Sequence, residues 1–452
     1  MSSNCLSRLV PLGLCFLVLF HSCLAQSSIP WQQQQSPRLR GQSSCQINRI
    51  TAREPNRRVE SEAGVSEFWD SFENDELECA GVEAVRHTIN PKGLLLPYYP
   101  STPELVYIVR GQGLQGTALP GCPETFETSF PSESGREQIF DKHQKVYRYK
   151  EGDILALPAG IVHWTYNDGD SPIVAIVLRD TSNVANQLDR NFRKFLVAGN
   201  VQNQQGQQGG RERQPRIAPV HHMGRPGQQE ILQEVFNVEY NIVEQLVGQN
   251  DNRGLIVRAE NFQVVFPGEQ ERQQSSPQDE FANVCASHLC SAQLSANIAN
   301  PAFADVYNPR GGRVSSLNSH KLPVLDLLQL SAERGVLYKN AVLAPHYNLN
   351  AHSIMYVTSG SSRLQIVRND GTPVFDDVVR EGQLIVVPQD FAVLKKAEEQ
   401  GSPEAVLMNS YEISREQAKE LKYSRQEGVV LSPRSGSTMK MAKEAVLNAL
   451  FG

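Results

Sequence analysis

The chain reads as mainly β, folded as two antiparallel β-barrel domains each followed by short α-helices, and three observations carry that reading. Its ordered stretches are short β-branched and aromatic runs bounded by Gly, Pro or Asp, the pattern of strands between turns. Two of these runs recur later in the same order, as an internal duplication would leave them. Segments of helical periodicity follow the strand-rich regions instead of alternating with them.

With 452 residues, 40% of them hydrophobic, the chain has material for two cores of ordinary domain size. A net charge of -6 supplies no basic field for phosphates, so neither nucleic acid nor anionic membrane is an expected partner. Arg8 precedes an apolar run over residues 9–20, and Cys23-Leu24-Ala25 ends it as a signal peptidase requires. A signal peptide over 1–25 is expected, cleaved between Ala25 and Gln26. The run is shorter than the ~20 apolar residues of a membrane span. The secreted remainder keeps Cys45, Cys79, Cys122, Cys285 and Cys290 in an oxidising compartment. Two bridges and one free thiol solve that odd set, and spacing alone leaves the pairing open. No Asn-x-Ser/Thr sequon is present, so N-glycosylation is not expected.

Strands are expected at 105–109 and 174–178. The duplication matches Leu-Val-Tyr-Ile-Val-Arg-Gly at 105–111 with Ile-Met-Tyr-Val-Thr-Ser-Gly at 354–360, and Glu-Gly-Asp-Ile-Leu-Ala-Leu-Pro at 151–158 with Glu-Gly-Gln-Leu-Ile-Val-Val-Pro at 381–388. Each copy is a strand ending in Gly, a variable hairpin, then a strand closed by Pro, which suits a barrel whose corners are turned by Gly and Pro. Helices are expected over 184–197, 230–246 and 414–423, the last with Ser414 and Gln417 at capping-box spacing. Residues 32–41, 201–229 and 268–280 are rich in Gln, Gly, Pro or Arg. They carry too few apolar side chains to offset the entropy of ordering them and read as loops outside the cores.

Several stretches carry a resemblance: Pro-Gly-Cys-Pro-Glu-Thr-Phe at 120–126, Gly-Asp-Ile-Leu-Ala-Leu-Pro-Ala-Gly at 152–160 followed by His163-Trp164, Asn-Gln-Leu-Asp at 186–189, residues 344–352, and Leu-Lys-Tyr-Ser-Arg-Gln at 421–426. In these the chain resembles the cupin superfamily and, more narrowly, the legumin-type (11S) seed storage globulins, over nearly all of its mature length. The resemblance implies two jelly-roll-type cupin barrels, at about 45–200 and about 295–425, with helices at about 184–247 after the first. It implies a nutrient reservoir with no enzymatic activity and no cofactor, carried through the endoplasmic reticulum to the protein storage vacuole of the seed. The precursor would trimerise, an Asn-specific vacuolar protease would cut it, and hexamers would follow. The matching cleavage site is Asn283-Val284, giving an acidic chain over 26–283 and a basic chain over 284–452. Cys122 and Cys290 resemble the pair joining the two chains, and Cys45 and Cys79 the bridge within the acidic one. Charge agrees, at about +1 after Asn283 and about -7 before it. Roughly three dozen Gln, many in the loops, load nitrogen without disturbing a core.

Catalytic cupins hold a metal with two His and a Glu from one motif and a His from a second, ligands suited to Mn, Fe or Ni. The matching positions here are Ser101, Pro103 and Tyr107, and only His163 of the second motif is kept. The second barrel has His352 with Asn350 and Tyr356, and Val393 stands for the last His; His346 lies outside the spacing, and His221-His222 falls in a Gln-rich loop. No catalytic or metal residue is expected. The Cys285–Cys290 cluster occurs once, without the second Cys pair of a zinc site. The alternative function is a non-catalytic cupin holding a small ligand at a barrel mouth lined by Tyr98, Tyr99, His163 and Trp164.

The chain also departs from the family pattern. Val284 replaces the usual Gly after the cleaved Asn and the acidic residues beyond it are missing, so cleavage is expected to be slowed or displaced. After residues 389–399 the family supplies another strand and loop; here Gly401-Ser-Pro403 leads straight into a helix-like stretch at 404–411, leaving the second barrel incomplete by about 25–30 residues. A tail over 436–452 runs past the family's usual end.

Overall fold

A computed structural model of the chain describes residues 47–71, 74–122, 125–128, 140–186, 191–197, 220–222, 233–234, 237–247, 252–262, 287–344, 346–348, 350–368, 370–389, 391–393, 408, 413–423 and 429–432. In the first half the strands are β1 (Arg57–Ser61), β2 (Gly64–Trp69), β3 (Val82–Ile89), β4 (Gly93–Pro100), β5 (Glu104–Arg110), β6 (Gln112–Ala118), β7 (Thr125–Thr128), β8 (Phe140–His143), β9 (Lys145–Lys150), β10 (Asp153–Leu157), β11 (Val162–Tyr166), β12 (Ile173–Asp180), β13 (Lys194–Leu196), β14 (Val220–His222) and β15 (Ile256–Arg258). One sheet runs β1-β2-β3-β12-β5-β10, and the facing sheet β14-β13-β4-β11-β6-β9 with β15 also on β4. Between them Val85, Leu95, Val106, Ile108, Leu155 and Val177 form an apolar core, as inward-facing residues of a two-sheet barrel must.

The second half follows with β16 (Ser295–Asn297), β17 (Val306–Asn308), β18 (Gly312–Leu317), β19 (Ala332–Leu337), β20 (Val342–Leu343), β21 (His346–Tyr347), β22 (Ser353–Tyr356), β23 (Ser361–Arg368), β24 (Pro373–Arg380), β25 (Leu384–Val387), β26 (Phe391–Val393) and β27 (Val430–Leu431). The helices are α1 (Asp75–Ala80), α2 (Tyr240–Val247), α3 (Ser287–Cys290), α4 (Val324–Leu328) and α5 (Arg415–Tyr423).

The duplication is visible as register. Ile154 faces Tyr107 and Leu155 faces Val106 across β10 and β5; at the matched positions Leu384 faces Tyr356 and Ile385 faces Met355 across β25 and β22. The glycines that start the second strand of each pair, Gly152 and Gly382, both have φ 85, a left-handed turn that a Cβ would strain.

The halves also exchange parts. Segment β16, which leads into the second half, pairs with β10 of the first, while Arg53, which leads into the first, bridges Leu384 of the second. Helix α1 packs on β25 and α4 on β10. The two resulting cores, Trp69, Leu77 and Ala84 with Leu384 and Val386, and Leu105, Ile154 and Ile161 with Leu322, Val324 and Leu328, each take side chains from both halves. Arg86 Nη1 donates to Tyr356 Oη at 3.2 Å, and Arg334 Nε to Tyr107 Oη at 3.0 Å.

Strand β12, between β3 and β5, has no counterpart among the described residues of the second half. There, among the described residues, β19 pairs with β18 alone and β22 with β25 alone.

Two local expectations are corrected. The helix expected over 184–197 is not formed by its described part: Lys194–Leu196 is strand β13, pairing with Pro100, Tyr99 and Tyr98 of β4. The loop expected over 201–229 includes strand β14, parallel to β13. The apolar spacing that suggested a helix serves equally for a strand once β4 offers an edge. Helix α2 falls at the end of the stretch expected over 230–246. The capping box before α5 forms, with Gln417 N donating to Ser414 Oγ at 3.2 Å and Ser414 N to Gln417 Oε1 at 2.9 Å.

Candidate functional site

His163, the one motif position kept in the first barrel, belongs to a buried polar cluster centred on Glu104. Strand β4 brings Tyr98, β5 Glu104, β11 His163 and β12 Arg179 into the first barrel. The Glu104 side chain is fully buried, and Arg179 and His163 are 2% and 3% exposed. Arg179 Nε donates to Glu104 Oε1 at 2.8 Å; Tyr98 Oη donates to Oε2 at 3.0 Å, and His163 Nε2 lies 3.2 Å from the same oxygen. Burial alone would raise the Glu104 carboxyl, but the Arg179 charge and the His163 hydrogen bond outweigh it and bring it down to about 2. Burial pushes Tyr98 far up, so the phenol keeps its proton. The Arg179 guanidinium stacks 3.9 Å over Phe192.

Each matched motif position serves a structural bond. Ser101 Oγ accepts from Arg193 N at 2.9 Å, Pro103 O from Asp180 N at 3.2 Å, and Tyr107 Oη from Arg334. In the second half Gln389 N donates to His352 Nδ1 at 3.2 Å, His346 pairs across from Val393 and Tyr356 Oη accepts from Arg86 Nη1. Asn350 is exposed. Among the described residues no three His, Cys, Asp or Glu stand together as metal ligands.

Of the residues proposed for a ligand-binding mouth, Tyr98 and His163 meet with ring centroids 4.3 Å apart, but Trp164 turns to the other face, 5.2 Å from Phe262, and Tyr99 is exposed. Alternation along a strand separates them. The cavity inside the barrel measures about 30 Å³, room for about one water. Glu104, Arg179 and His87 were not singled out by sequence. The available signal was a charge at the end of each apolar run, since Glu104 and Arg179 face each other in the β5–β12 register.

A second feature joins the two halves covalently. Cys122 and Cys290 form a disulfide with Cα atoms 5.4 Å apart, across 168 residues, within the range of bridged pairs. Gln144 holds the first cysteine's turn: its Nε2 donates to Leu119 O and Cys122 O at 3.0 Å. The adjacent Lys145 donates to Ala292 O at 2.8 Å, beyond Cys290. Leu289 and Cys122 pack against Leu119 and Leu294 in one apolar cluster. Cys79 is also disulfide-bonded. Cys45, Cys285, Asn283, Val284, Ala25 and Gln26 lie outside the described residues.

Comparison with known proteins places these features. The profile of the cupin family matches residues 50–203 and 296–420. An 11S globulin seed storage protein of Anacardium occidentale is 42% identical, covering 95% of this chain and 99% of the relative. Among solved structures, coconut allergen cocosin superposes with a TM-score of 0.70 at 40% identity, covering 86% of this chain and 100% of that one. An 11S globulin from Wrightia tinctoria, reported with an auxin binding site, gives 0.72 at 37% identity, covering 86% and 96%.

Proposed function

The chain belongs to the cupin family and, within it, to the 11S seed storage globulins, and from that premise we propose that it is a non-enzymatic nutrient reservoir of the seed. The observation that carries the proposal is likeness along nearly the whole of both chains to relatives named for storage. The first barrel agrees with it: Glu104, Tyr98, His163 and Arg179 bond to one another, leaving no base or nucleophile poised toward a substrate. The physical task is then to be dense, soluble in transit and rich in nitrogen.

In the finer reading the signal peptide ends at Ala25, the precursor passes through the endoplasmic reticulum as a trimer, and a vacuolar Asn-specific protease cuts between Asn283 and Val284. The cut falls on the chain between Phe262 and Ser287, seven residues before Cys290 in sequence. The Cys122–Cys290 bridge would then tie acidic to basic chain, and trimers would pair into hexamers in the storage vacuole. A second bridge joins Cys79 to Cys45 in this reading. The domain limits follow, with cupin domains at about 45–200 and about 295–425.

The alternative, a barrel that shelters a small organic ligand, is disfavoured by size. Ligand sites run to about 300–1,000 Å³, and this interior offers about 30 Å³; a molecule such as the auxin of the Wrightia relative would need a place outside the barrel. Gel electrophoresis of protein from mature seed, with and without reductant, beside gel filtration, tests the storage reading. Two chains that part only on reduction, in a hexamer-sized particle, are expected. A single uncut chain in monomers or aggregates would overturn the processing and assembly.

A further inference from the structure

We propose that the interior of the first barrel is a binding site for one neutral, water-sized hydrogen-bonding molecule, water itself, held between the imidazole of His87 and the phenol of Tyr149. These side chains come from facing sheets, His87 from β3 and Tyr149 from β9, and both line the cavity of about 30 Å³. Each is 2% exposed, and each carries a buried polar atom without a partner. For His87 that atom is Nε2, the other ring nitrogen being met by Ser66 Oγ at 2.8 Å. For Tyr149 it is Oη, which lies beside the Thr165 hydroxyl without hydrogen-bond geometry to it; Thr165 directs its own proton to Gln115 Oε1 at 2.5 Å. Leaving two buried polar atoms unmet costs more than immobilising one small molecule between them.

The walls select what that molecule is. The volume admits about one water. The Glu104 carboxylate forms part of the lining and disfavours an anion. Glu104 is the one carboxylate of the lining and is already engaged by Arg179, Tyr98 and His163, so a metal cation would find too few free anionic oxygens. Burial drives Tyr149 far up, and it remains a donor. Burial, aided by the Arg179 charge, drives His87 down to about 3, so the ring is neutral and its Nε2 donates or accepts according to which way the Ser66 proton points. Water can answer either role; an apolar gas can answer neither, and a halide only one. The occupant would add a polar link between the two sheets to those that Tyr98 and His163 make with Glu104.

A crystal structure of the full protein at a resolution that shows ordered solvent, from crystals soaked in bromide, tests the site. The expected result is a peak within about 2.6–3.2 Å of both His87 Nε2 and Tyr149 Oη, without anomalous signal, and loss of that peak in Tyr149→Phe. An empty cavity, a direct His87–Tyr149 bond or an anomalous bromide peak there would overturn it. Should Tyr149→Phe fail to fold, the wild-type density decides alone, and none of these outcomes bears on the storage reading.

Discussion

Two carboxylates of the first barrel respond to burial in opposite ways because their neighbours differ. Glu104 is brought down to about 2 against its own burial by Arg179 and His163. Its contribution to stability is complete above about pH 4.5, the usual carboxylate range, and is lost as pH falls from there through about 2. Replacing it by Ala leaves Arg179 buried with its charge unmatched, and urea titration is expected to show a loss of about 3–5 kcal/mol. Glu83 makes no ion pair among the described residues; burial lifts it to about 7, with Arg179 opposing only in part. The sign reverses: Glu83 costs nothing below about pH 4.5 and destabilises progressively as pH rises to about 7. Glu83→Gln is therefore expected to stabilise at pH 8, by at most about 3 kcal/mol, and not at pH 4. Thermal melts at the two pH values check this, and an equal gain at both would refute it. Neither behaviour was legible in the sequence, where Glu83 and Glu104 are both carboxylates next to apolar runs.

At the scale of elements, what is local in sequence reads correctly. The capping box at Ser414 and Gln417 forms because both partners sit within one turn. The strand–Gly–strand–Pro grammar survives as paired registers because alternation and turn chemistry are set within a few residues. The stretch over 184–197 reads wrongly because its last residues find main-chain partners on β4, nearly a hundred residues away. The matched glycines show how one local rule acquires two costs. Gly152 and Gly382 share φ 85, and placing Ala in that conformation costs about 1–2 kcal/mol. At Gly382 the nearest atom to an added Cβ is Arg86 Nη1 at 3.3 Å, the end of a side chain that can shift. At Gly152 it is the Ala299 Cβ at 2.2 Å, which the β16 edge holds in place. Gly152→Ala is expected to cost at least about twice as much as Gly382→Ala in denaturant titrations, and equal losses would show that the β16 edge yields.

Across the whole molecule the halves are tied together by the edges, helices and Arg–Tyr bonds they exchange, and two of the buried cores take side chains from both. The exchange is nearly symmetric in form but not in strength. Strand β3 is paired on both sides, by β2 and β12, whereas β19 is paired only by β18 among the described residues. Its Leu337, opposite Gly312, is 37% exposed, whereas Ile89 of β3, opposite Gly64, is 1% exposed. Amides of β19 that face away from β18 are expected to exchange with deuterium at least on the order of tenfold faster than those of β3, as mass spectrometry of peptic fragments would show. Equal protection would mean that a further segment covers that edge. An edge left unpaired there would be an aggregation hazard during assembly.

The sequence by itself determined the fold class, the duplication and the family, because each rests on residues close together in the chain or on a pattern matched along it. Only the tertiary structure decided that Glu104 meets Arg179, that His87 and Tyr149 share a cavity, that β13 is a strand and that the halves trade edges. It also brings Cys122 to Cys290, a pairing that spacing alone leaves open. Those outcomes depend on groups tens to hundreds of residues apart meeting across two sheets, where register and burial decide what each polar atom touches.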